Sequence, residues 1–163
     1  ADPVIVVTGP AEPALAAELA GLPVTIAENP EPEAGLSASL RSGLAALPPG
    51  ADGVLVCLGD MPFVRAADLD TLIAAFAEAA PEAIVVPMHE GRRGNPVLFG
   101  RSFFRDMQAL EGDVGARGLI GRHAGAVREV AIGHDGILAD IDTPEGLAAA
   151  RARGIDKPPP LGR

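Results

Sequence analysis

Short apolar runs alternate with stretches of helical periodicity along the chain, and this alternation constrains the fold more than any other feature. The run VIVVT at 4–8 is followed by a helical pattern at 12–20 that Gly21 closes, and then by a second apolar run at 22–27. This order is typical of βαβ units, in which the strands lie parallel and a helix packs on the sheet. The sequence therefore predicts an α/β protein with a parallel or mostly parallel sheet.

The same patterns place the other elements. The run GVLVCL at 53–58 does not alternate between apolar and polar residues, which indicates a central strand with helices on both faces. The run NPVLFG at 95–100 follows a polar loop, so we expect an antiparallel hairpin with the strand before that loop. A last helix begins after the N-cap Thr143, with Pro144 in its first position, and ends at Gly154. The remaining predicted elements are helices at 36–47, 66–80, 102–110 and 115–123 and strands at 83–87, 127–132 and 137–142.

Length and composition indicate one compact domain. The chain has 163 residues, 48% of them apolar, which is enough for a real core. We place this domain at 1–154 and interpret the proline-rich residues 155–163 as a C-terminal tail. The lone Cys57 lies inside an apolar run and is predicted to be a core thiol in a reducing compartment.

Charge and hydropathy exclude two classes of partner. The formal net charge is −9 and the 13 Lys and Arg residues form no cluster, so the sequence lacks the basic face that a nucleic-acid binder needs. No stretch approaches the roughly 20 apolar residues that cross a bilayer, and the N-terminus has no signal-peptide pattern. We therefore predict a cytoplasmic protein that binds neither nucleic acid nor membranes.

Aspartates stand at the ends of two predicted strands. Asp60, in the segment LGDMP, follows the most buried of these strands and is either a turn former or a ligand. Asp140 and Asp142 end the run ILADID, and Asp142 shares a crevice with Asp60 if the two strands are close. Mg²⁺ takes one or two protein carboxylates together with substrate phosphates. These positions therefore predict a magnesium site, with Asp140 as a bystander.

Five segments resemble, in order and spacing, the nucleotidyltransferases of molybdenum cofactor synthesis. They are NPEPEAGLSASLRSGLAAL, VLVCLGDMPFV, RRGNPVLF, EGDVGARGLI and DIDTPEGL. From about residue 4 to 153 the sequence resembles most the molybdenum cofactor cytidylyltransferase branch of the MobA-like NTP transferase group. The resemblance implies a Rossmann-like sheet of the nucleotide-diphospho-sugar transferase type, with helices on both faces. It also implies transfer of CMP from CTP to the terminal phosphate of molybdopterin, with release of pyrophosphate.

The resemblance implies roles for particular residues. It gives the catalytic and metal-binding roles to Asp60 and Asp142, with Mg²⁺ as the cofactor. Gly59, which has no side chain, lets the backbone and the nucleotide approach closely. A second group, in GLSASLRSG, is placed at the nucleotide base and ribose and consists of Gly35, Ser37, Ser39 and Arg41. The alternative for its serines is a helix N-terminus that caps itself.

The acceptor side is implied in the segment RRGNPVLF. The acceptor loop consists of Gly94, Asn95 and Pro96. An amide there can bind a pterin edge, and Arg92 or Arg93 can meet a phosphate, the alternative being two solvated arginines on a hairpin. Asp113 and Arg117 can equally be a cap and a surface charge, and the three histidines lack zinc spacing and are predicted to lie on the surface.

The sequence departs from this family in two places. The family's glycine-rich loop, with an arginine and a lysine that hold the triphosphate, precedes the strand with which this sequence starts. We therefore expect a domain that is incomplete at its N-terminus, either as a piece of a longer enzyme or as a protein that has lost catalysis. Where the family often has an acid, this sequence has Gly146, so the last helix lacks a capping-box carboxylate.

Two alternative functions stay open. One is an NTP transferase of the same fold that acts on another phosphorylated acceptor, as a guanylyl-transferring or sugar-phosphate enzyme does. The other is a non-catalytic module that binds the cofactor for a partner. The guanylyl branch tends to place a proline after the glycine of the base-contacting loop, so Gly35-Leu36-Ser37 favours CTP. The implied client is a xanthine dehydrogenase family enzyme or its maturation factor.

Overall fold

The structure, a computed structural model, describes residues 1–79 and 81–155 and alternates strands with helices. The strands are β1 (Val4–Thr8), β2 (Val24–Glu28), β3 (Gly53–Val56), β4 (Ile84–His89), β5 (Arg92–Arg93), β6 (Val97–Gly100) and β7 (Val127–Ala131). The helices are α1 (Pro13–Leu19), α2 (Leu36–Ala45), α3 (Ala66–Ala77), α4 (Phe104–Gln108), α5 (Arg117–Arg122) and α6 (Pro144–Ala152). Short 3₁₀ turns, among them Asp135–Leu138, connect several of these elements.

The strands form two sheets. β1 and β2 pair in parallel as a sheet of their own. The larger sheet has the order β3-β6-β4-β5, and β7 also pairs with β4. β6 is antiparallel to both β3 and β4, whereas β7 is parallel to β4. β3, β4 and β7 therefore point the same way, which confirms the mostly parallel α/β sheet, and β4 forms the predicted antiparallel hairpin with β5 and β6.

Strand β4 lies inside the larger sheet, between β6 and β7, and its first four residues are buried. Ile84, Val85 and Val86 are fully inaccessible, and because side chains alternate along a strand they feed two separate clusters. Ile84 and Val86 pack with apolar residues of α2, α4 and α5, whereas Val85 packs with Leu72 and Phe76 of α3. Helices therefore cover both faces of the sheet, as predicted.

The prediction that residues 53–58 form the central and most buried strand is wrong. β3 is an edge strand of the larger sheet, and all four of its residues are only partly buried. Its two faces are nevertheless covered, because Val54 and Val56 pack on one cluster and Leu55 packs on the other. An apolar run indicates that both faces of a strand are covered by side chains. Whether the strand is central or at an edge depends on which backbones pair with it, so the apolar run does not distinguish a central strand from an edge strand.

The predicted strand at 137–142 is also absent. The segment begins as a 3₁₀ turn, Asp135–Leu138, whose N-cap is the His134 side chain: its Nδ1 accepts from the Gly136 N–H at 3.0 Å. Ile137 is fully buried, which explains the apolar run without a strand. The backbone of residues 137–141 forms hydrogen bonds with the loops that contain Asp60 and Asn95, instead of with a neighbouring strand.

Cys57 is exposed, so the prediction of a core thiol is wrong. β3 ends at Val56, one residue before the cysteine, which places the side chain in the loop that follows the strand. Partial burial by the surrounding protein still raises the pKa of the Cys57 thiol above its ordinary value.

The start and end of the last helix are confirmed. The Thr143 hydroxyl accepts from the Gly146 N–H at 3.0 Å, Pro144 opens α6, and Gly154 has a φ of 93° just beyond its end. This cap fixes where the chain turns into α6 directly after Asp142. Within the described ranges, every helix is too short or too polar to span a bilayer. Apart from Ile155, the predicted tail lies outside the described residues.

Candidate functional site

The segment between β7 and α6 joins two loops at the carboxyl end of β3. The Ile141 N–H donates to the carbonyl oxygen of Asp60 at 2.9 Å, and the Asn95 N–H donates to the carbonyl oxygen of Ile137 at 2.9 Å. The LGDMP loop, the loop before β6 and the residues that precede α6 therefore meet in one place. These are the three segments in which the sequence analysis placed the metal-binding and acceptor residues.

The structure brings the backbones of Asp60 and Asp142 together. Asp142 directly follows Ile141, whose N–H is bonded to Asp60, and both aspartates are exposed. In the part of the chain that the structure describes, no group of three or more His, Cys, Asp and Glu side chains is placed to hold a metal ion. A pair of exposed carboxylates fits a hydrated Mg²⁺, which takes one or two protein carboxylates and fills its other positions with water and phosphate. It does not fit a closed structural metal site.

A cavity of about 640 Å³ is lined by chain neighbours of these aspartates, Met61 and Asp140 among them, but not by Asp60 or Asp142 themselves. This volume is in the range of small-molecule sites, which combine apolar walls with a few polar groups. The walls are apolar side chains from four segments: Leu58, Met61, Val97, Ile120, Ile137 and Leu138. The polar side chains of the lining are Arg92, Arg93, Asn95, Arg117 and Asp140. Asp140, which the sequence analysis predicted to be a bystander to the metal site, is therefore part of the cavity wall.

The predicted acceptor loop forms one side of this cavity. A Cβ added at Gly94 would collide with the carbonyl oxygen of Ile137, so the backbone approaches closely there. Asn95 lines the cavity and its N–H holds the Ile137 carbonyl, while Pro96 is fully buried. Glycine at 94 is thus explained by packing against residues 137–138 rather than by an unusual φ angle.

The predicted nucleotide loop lies elsewhere and is held by internal hydrogen bonds. Gly35 has a φ of 85°, which favours glycine, and Asp113 Oδ1 accepts from the next N–H, that of Leu36, at 3.3 Å. Asp113 therefore does act as a cap, as one of the two interpretations from sequence proposed.

The side chains that follow Gly35 stabilise α2. Arg41 Nη1 donates to the Leu110 carbonyl at 2.6 Å and to the hydroxyl of Ser37, which is fully buried. Ser39 Oγ accepts from Asn29 Nδ2 at 3.1 Å. None of these described residues lines the cavity, and their contact with a nucleotide stays a prediction. Gly59 is exposed with open space around it, so a nucleotide can approach its backbone.

Sequence reasoning missed a pair, buried Asp68 and half-buried His134, that anchors the candidate site. Asp68 is 6% exposed and accepts from the Arg65 N–H at 2.8 Å and from His134 Nε2 at 3.0 Å. Since His134 Nδ1 accepts from Gly136, the ring proton is on Nε2. The pair ties the start of the 134–142 segment to α3. An acid three residues into a helix is a capping signal, and this signal alone makes Asp68 recognisable from sequence.

The prediction that the histidines lie on the surface is wrong for all three. Each is half-buried and hydrogen-bonded: His89 to the Ile132 carbonyl, His123 to Asp106 and His134 to Asp68. A histidine's partner is set by tertiary contacts between distant residues, which spacing along the chain does not report.

Comparisons with known proteins identify the family and the fold. A family model described as the MobA-like NTP transferase domain matches residues 1–127. The purine catabolism protein PucB of Bacillus subtilis (strain 168) is 38% identical over 117 residues, which is 69% of this chain and 54% of that protein. The chain thus spans about half the length of that curated relative.

Two solved structures share the fold. Rv0371c from Mycobacterium tuberculosis H37Rv, in complex with manganese, is 30% identical with a TM-score of 0.74, over 91% of this chain and 76% of that chain. A nucleotidyl transferase from Methanothermobacter is 26% identical with a TM-score of 0.74, over 93% of this chain and 73% of that chain. These neighbours confirm the nucleotide-diphospho-sugar transferase type of fold.

Gly94→Ala tests whether close packing against Ile137 shapes the cavity. The new Cβ overlaps the Ile137 carbonyl, so we expect the free energy of unfolding to fall by about 1–3 kcal/mol, as overpacking does. The control is Gly121→Ala, which adds a Cβ to the same cavity wall in open space on a helix and is expected to stabilise by up to about 1 kcal/mol. Urea denaturation measures both, and equal effects of the two variants would contradict the packing argument.

Proposed function

Because the chain belongs to the MobA-like NTP transferase family, we propose that it is a cytidylyltransferase of molybdenum cofactor synthesis that moves CMP from CTP to molybdopterin. The observation that carries this proposal is the hydrogen bond from the Ile141 N–H to the Asp60 carbonyl, which keeps Asp60 and Asp142 next to a cavity of small-molecule size. Nucleotidyl transfer needs two substrates aligned and charge neutralised rather than covalent help from the protein.

In this proposal Asp60 and Asp142 hold a Mg²⁺ ion. Neither aspartate takes part in the ion pairs found among the described residues, so both carboxylates are available. When bound, the ion would neutralise charge on the triphosphate and on the leaving pyrophosphate. The manganese complex of the relative Rv0371c supports a divalent cation in this fold.

The rest of the reaction is assigned to positioning. An oxygen of the acceptor phosphate attacks the α-phosphorus of CTP and a new P–O bond forms. The bond from that phosphorus to the oxygen shared with the β-phosphate breaks, and pyrophosphate leaves in line. The LGDMP loop and Asp142 orient the triphosphate, while the cavity beside Asn95 orients the acceptor. The backbone bonds of residues 137–141 keep these two halves at a fixed separation.

The acceptor and the client follow from the resemblance and from the relatives. The name of PucB places that protein in purine catabolism, which is compatible with the client that the sequence resemblance implies. A xanthine dehydrogenase family enzyme, or its maturation factor, is therefore the client that we propose. The cavity combines apolar walls with arginines and an amide, which suits a flat ring system that carries a phosphate.

Asp60→Asn and Asp142→Asn test the metal site. Each removes one carboxylate, so we expect Mg²⁺-dependent CTP binding to weaken at least about tenfold and pyrophosphate release to slow about 10²-fold or more. Calorimetry with CTP at varied Mg²⁺, and a pyrophosphate assay, measure the two effects. Asp70→Asn is the matched control, since Asp70 is an exposed aspartate on the neighbouring α3. Magnesium dependence that is unaltered in the Asp60 and Asp142 variants would remove both residues from the site.

Base selectivity separates the proposed reaction from the guanylyl-transferring alternative. The loop has Leu36 where the guanylyl branch tends to have proline. We expect CTP to be preferred over GTP by at least tenfold, roughly 1.4 kcal/mol. A competition assay with both nucleotides at equal concentration measures the ratio. Equal use of both, or a preference for GTP, would assign the protein to another branch of the family.

A further inference from the structure

His134 makes a different hydrogen bond with each of its two ring nitrogens. Its Nε2–H donates to the Asp68 carboxylate at 3.0 Å, and its Nδ1 accepts from the Gly136 N–H at 3.0 Å. The first bond ties the ring to α3, whereas the second caps the 3₁₀ turn Asp135–Leu138. Only a neutral ring with its proton on Nε2 makes both bonds, because Nδ1 must keep a lone pair. The cap of this turn therefore depends on the protonation state of one side chain.

Protonation of the ring affects the two hydrogen bonds in opposite ways. The bond to the Asp68 carboxylate becomes charge-assisted and stronger. At Nδ1 a new N–H would face the Gly136 N–H, and two donors cannot share a hydrogen bond. Gly136 is buried, so the loss of its acceptor costs more than it would at an exposed N–H. A proton on His134 thus strengthens the anchor to α3 and removes the cap of the turn.

The ring can be protonated without unfolding of the protein. The His134 side chain is 17% exposed, which leaves a path to solvent. A histidine ring ordinarily changes its charge between pH 5 and 8. The transition that this structure implies therefore lies in a pH range in which the carboxylates of the chain ordinarily stay ionised.

The charged neighbours of the ring come from the elements around the turn. Asp68 of α3 contacts the ring and also accepts the Arg65 N–H at 2.8 Å. Asp135, the next residue along the turn, forms an ion pair with Arg153 at the end of α6. β4 packs on the turn and contributes His89, whose Nδ1 is bonded to a backbone carbonyl. Asp68 is thus the charged group that acts on the ring directly.

The turn that His134 caps contacts two loops of the candidate site. A Cβ added at Gly136 would collide with the carbonyl oxygen of Phe63, so the turn packs closely on the residue after the LGDMP loop. The carbonyl of Ile137 accepts the Asn95 N–H at 2.9 Å, which holds the loop before β6. A change in the conformation of this turn therefore reaches both loops.

We propose that His134 is a pH-responsive switch for these two loops. When the ring is neutral, the turn is capped and holds both loops in place. When the ring is protonated, it stays with Asp68, the Gly136 N–H loses its acceptor and the turn opens. The switch goes beyond the proposed reaction and does not depend on it, because it consists only of hydrogen bonds within the chain.

NMR spectra of ¹⁵N-labelled protein, recorded from pH 8 to pH 5, test the switch at the histidine rings and at the backbone. At pH 8 we expect the proton of the His134 ring on Nε2. As the pH falls, the Gly136 amide proton should move upfield, as it does when a hydrogen bond is lost, with the same midpoint as the His134 ring. The Asn95 amide signal should change with that midpoint too.

Two variants separate the His134 ring from other titrating groups. His134→Asn keeps a side-chain acceptor at the N-cap but has no ring to protonate, so its Gly136 signal should stay constant over this pH range. His123→Asn is the matched control, because His123 is also half-buried and bonded to an aspartate, Asp106, but lies outside the turn. Its Gly136 signal should titrate as in the unaltered protein.

Several results would each overturn the proposal. One is a ring proton on Nδ1 at pH 8, because that nitrogen could not then accept from Gly136. Another is a Gly136 or Asn95 signal that does not follow the His134 ring. A Gly136 titration that persists in His134→Asn, or one that is lost in His123→Asn, would also overturn it. If His134→Asn does not fold, the midpoints of ring and amides in the unaltered protein and in His123→Asn decide.

Discussion

Two backbone hydrogen bonds made by residues 137–141 hold the candidate site together. The Ile137 carbonyl accepts from Asn95, and the Ile141 N–H donates to Asp60, each at 2.9 Å. Because both bonds use main-chain atoms, they fix the loops without consuming the carboxylate and amide groups that a ligand would use. The hydrogen-bonded pair of Asp68 and His134 anchors the same segment to α3. The geometry of the candidate site is thus a consequence of loop docking rather than of any single strand.

The loops can be held in this way because the sheet beneath them is rigid. β4 has three fully inaccessible residues, and helices pack on both of its sides. The arrangement separates two tasks, since buried apolar strands provide stability while exposed loops at the carboxyl end of β3 carry charged groups. Loops on such a sheet can differ between proteins of one fold while the core stays the same. This separation is why family membership alone does not decide which nucleotide or acceptor is used.

Local signals in the sequence predicted much of the fold and less of the site. The α6 cap at Thr143, the first strand at 4–8 and the antiparallel hairpin all follow from short-range chemistry, and all are present. The edge position of β3 and the 3₁₀ turn after His134 depend on which distant backbones pair, so apolar runs gave the wrong answer. The pairing of His134 with Asp68 spans 66 residues and left no pattern along the chain. Motif and position together led to Asp60 and Asp142, whose backbones the structure brings together, and their role in metal binding stays a prediction.

The central claim is that Asp60 and Asp142 hold one divalent cation beside the cavity. Addition of Mn²⁺ to ¹⁵N-labelled protein tests it directly, because a bound paramagnetic ion broadens the signals of nearby amides most. The account predicts that Gly59, Asp60 and Ile141 to Thr143 broaden first, that excess Mg²⁺ restores them, and that Asp60→Asn removes the effect. Broadening that starts at other acidic residues, such as Glu31 and Glu33, or that persists at these loops in Asp60→Asn, would contradict it.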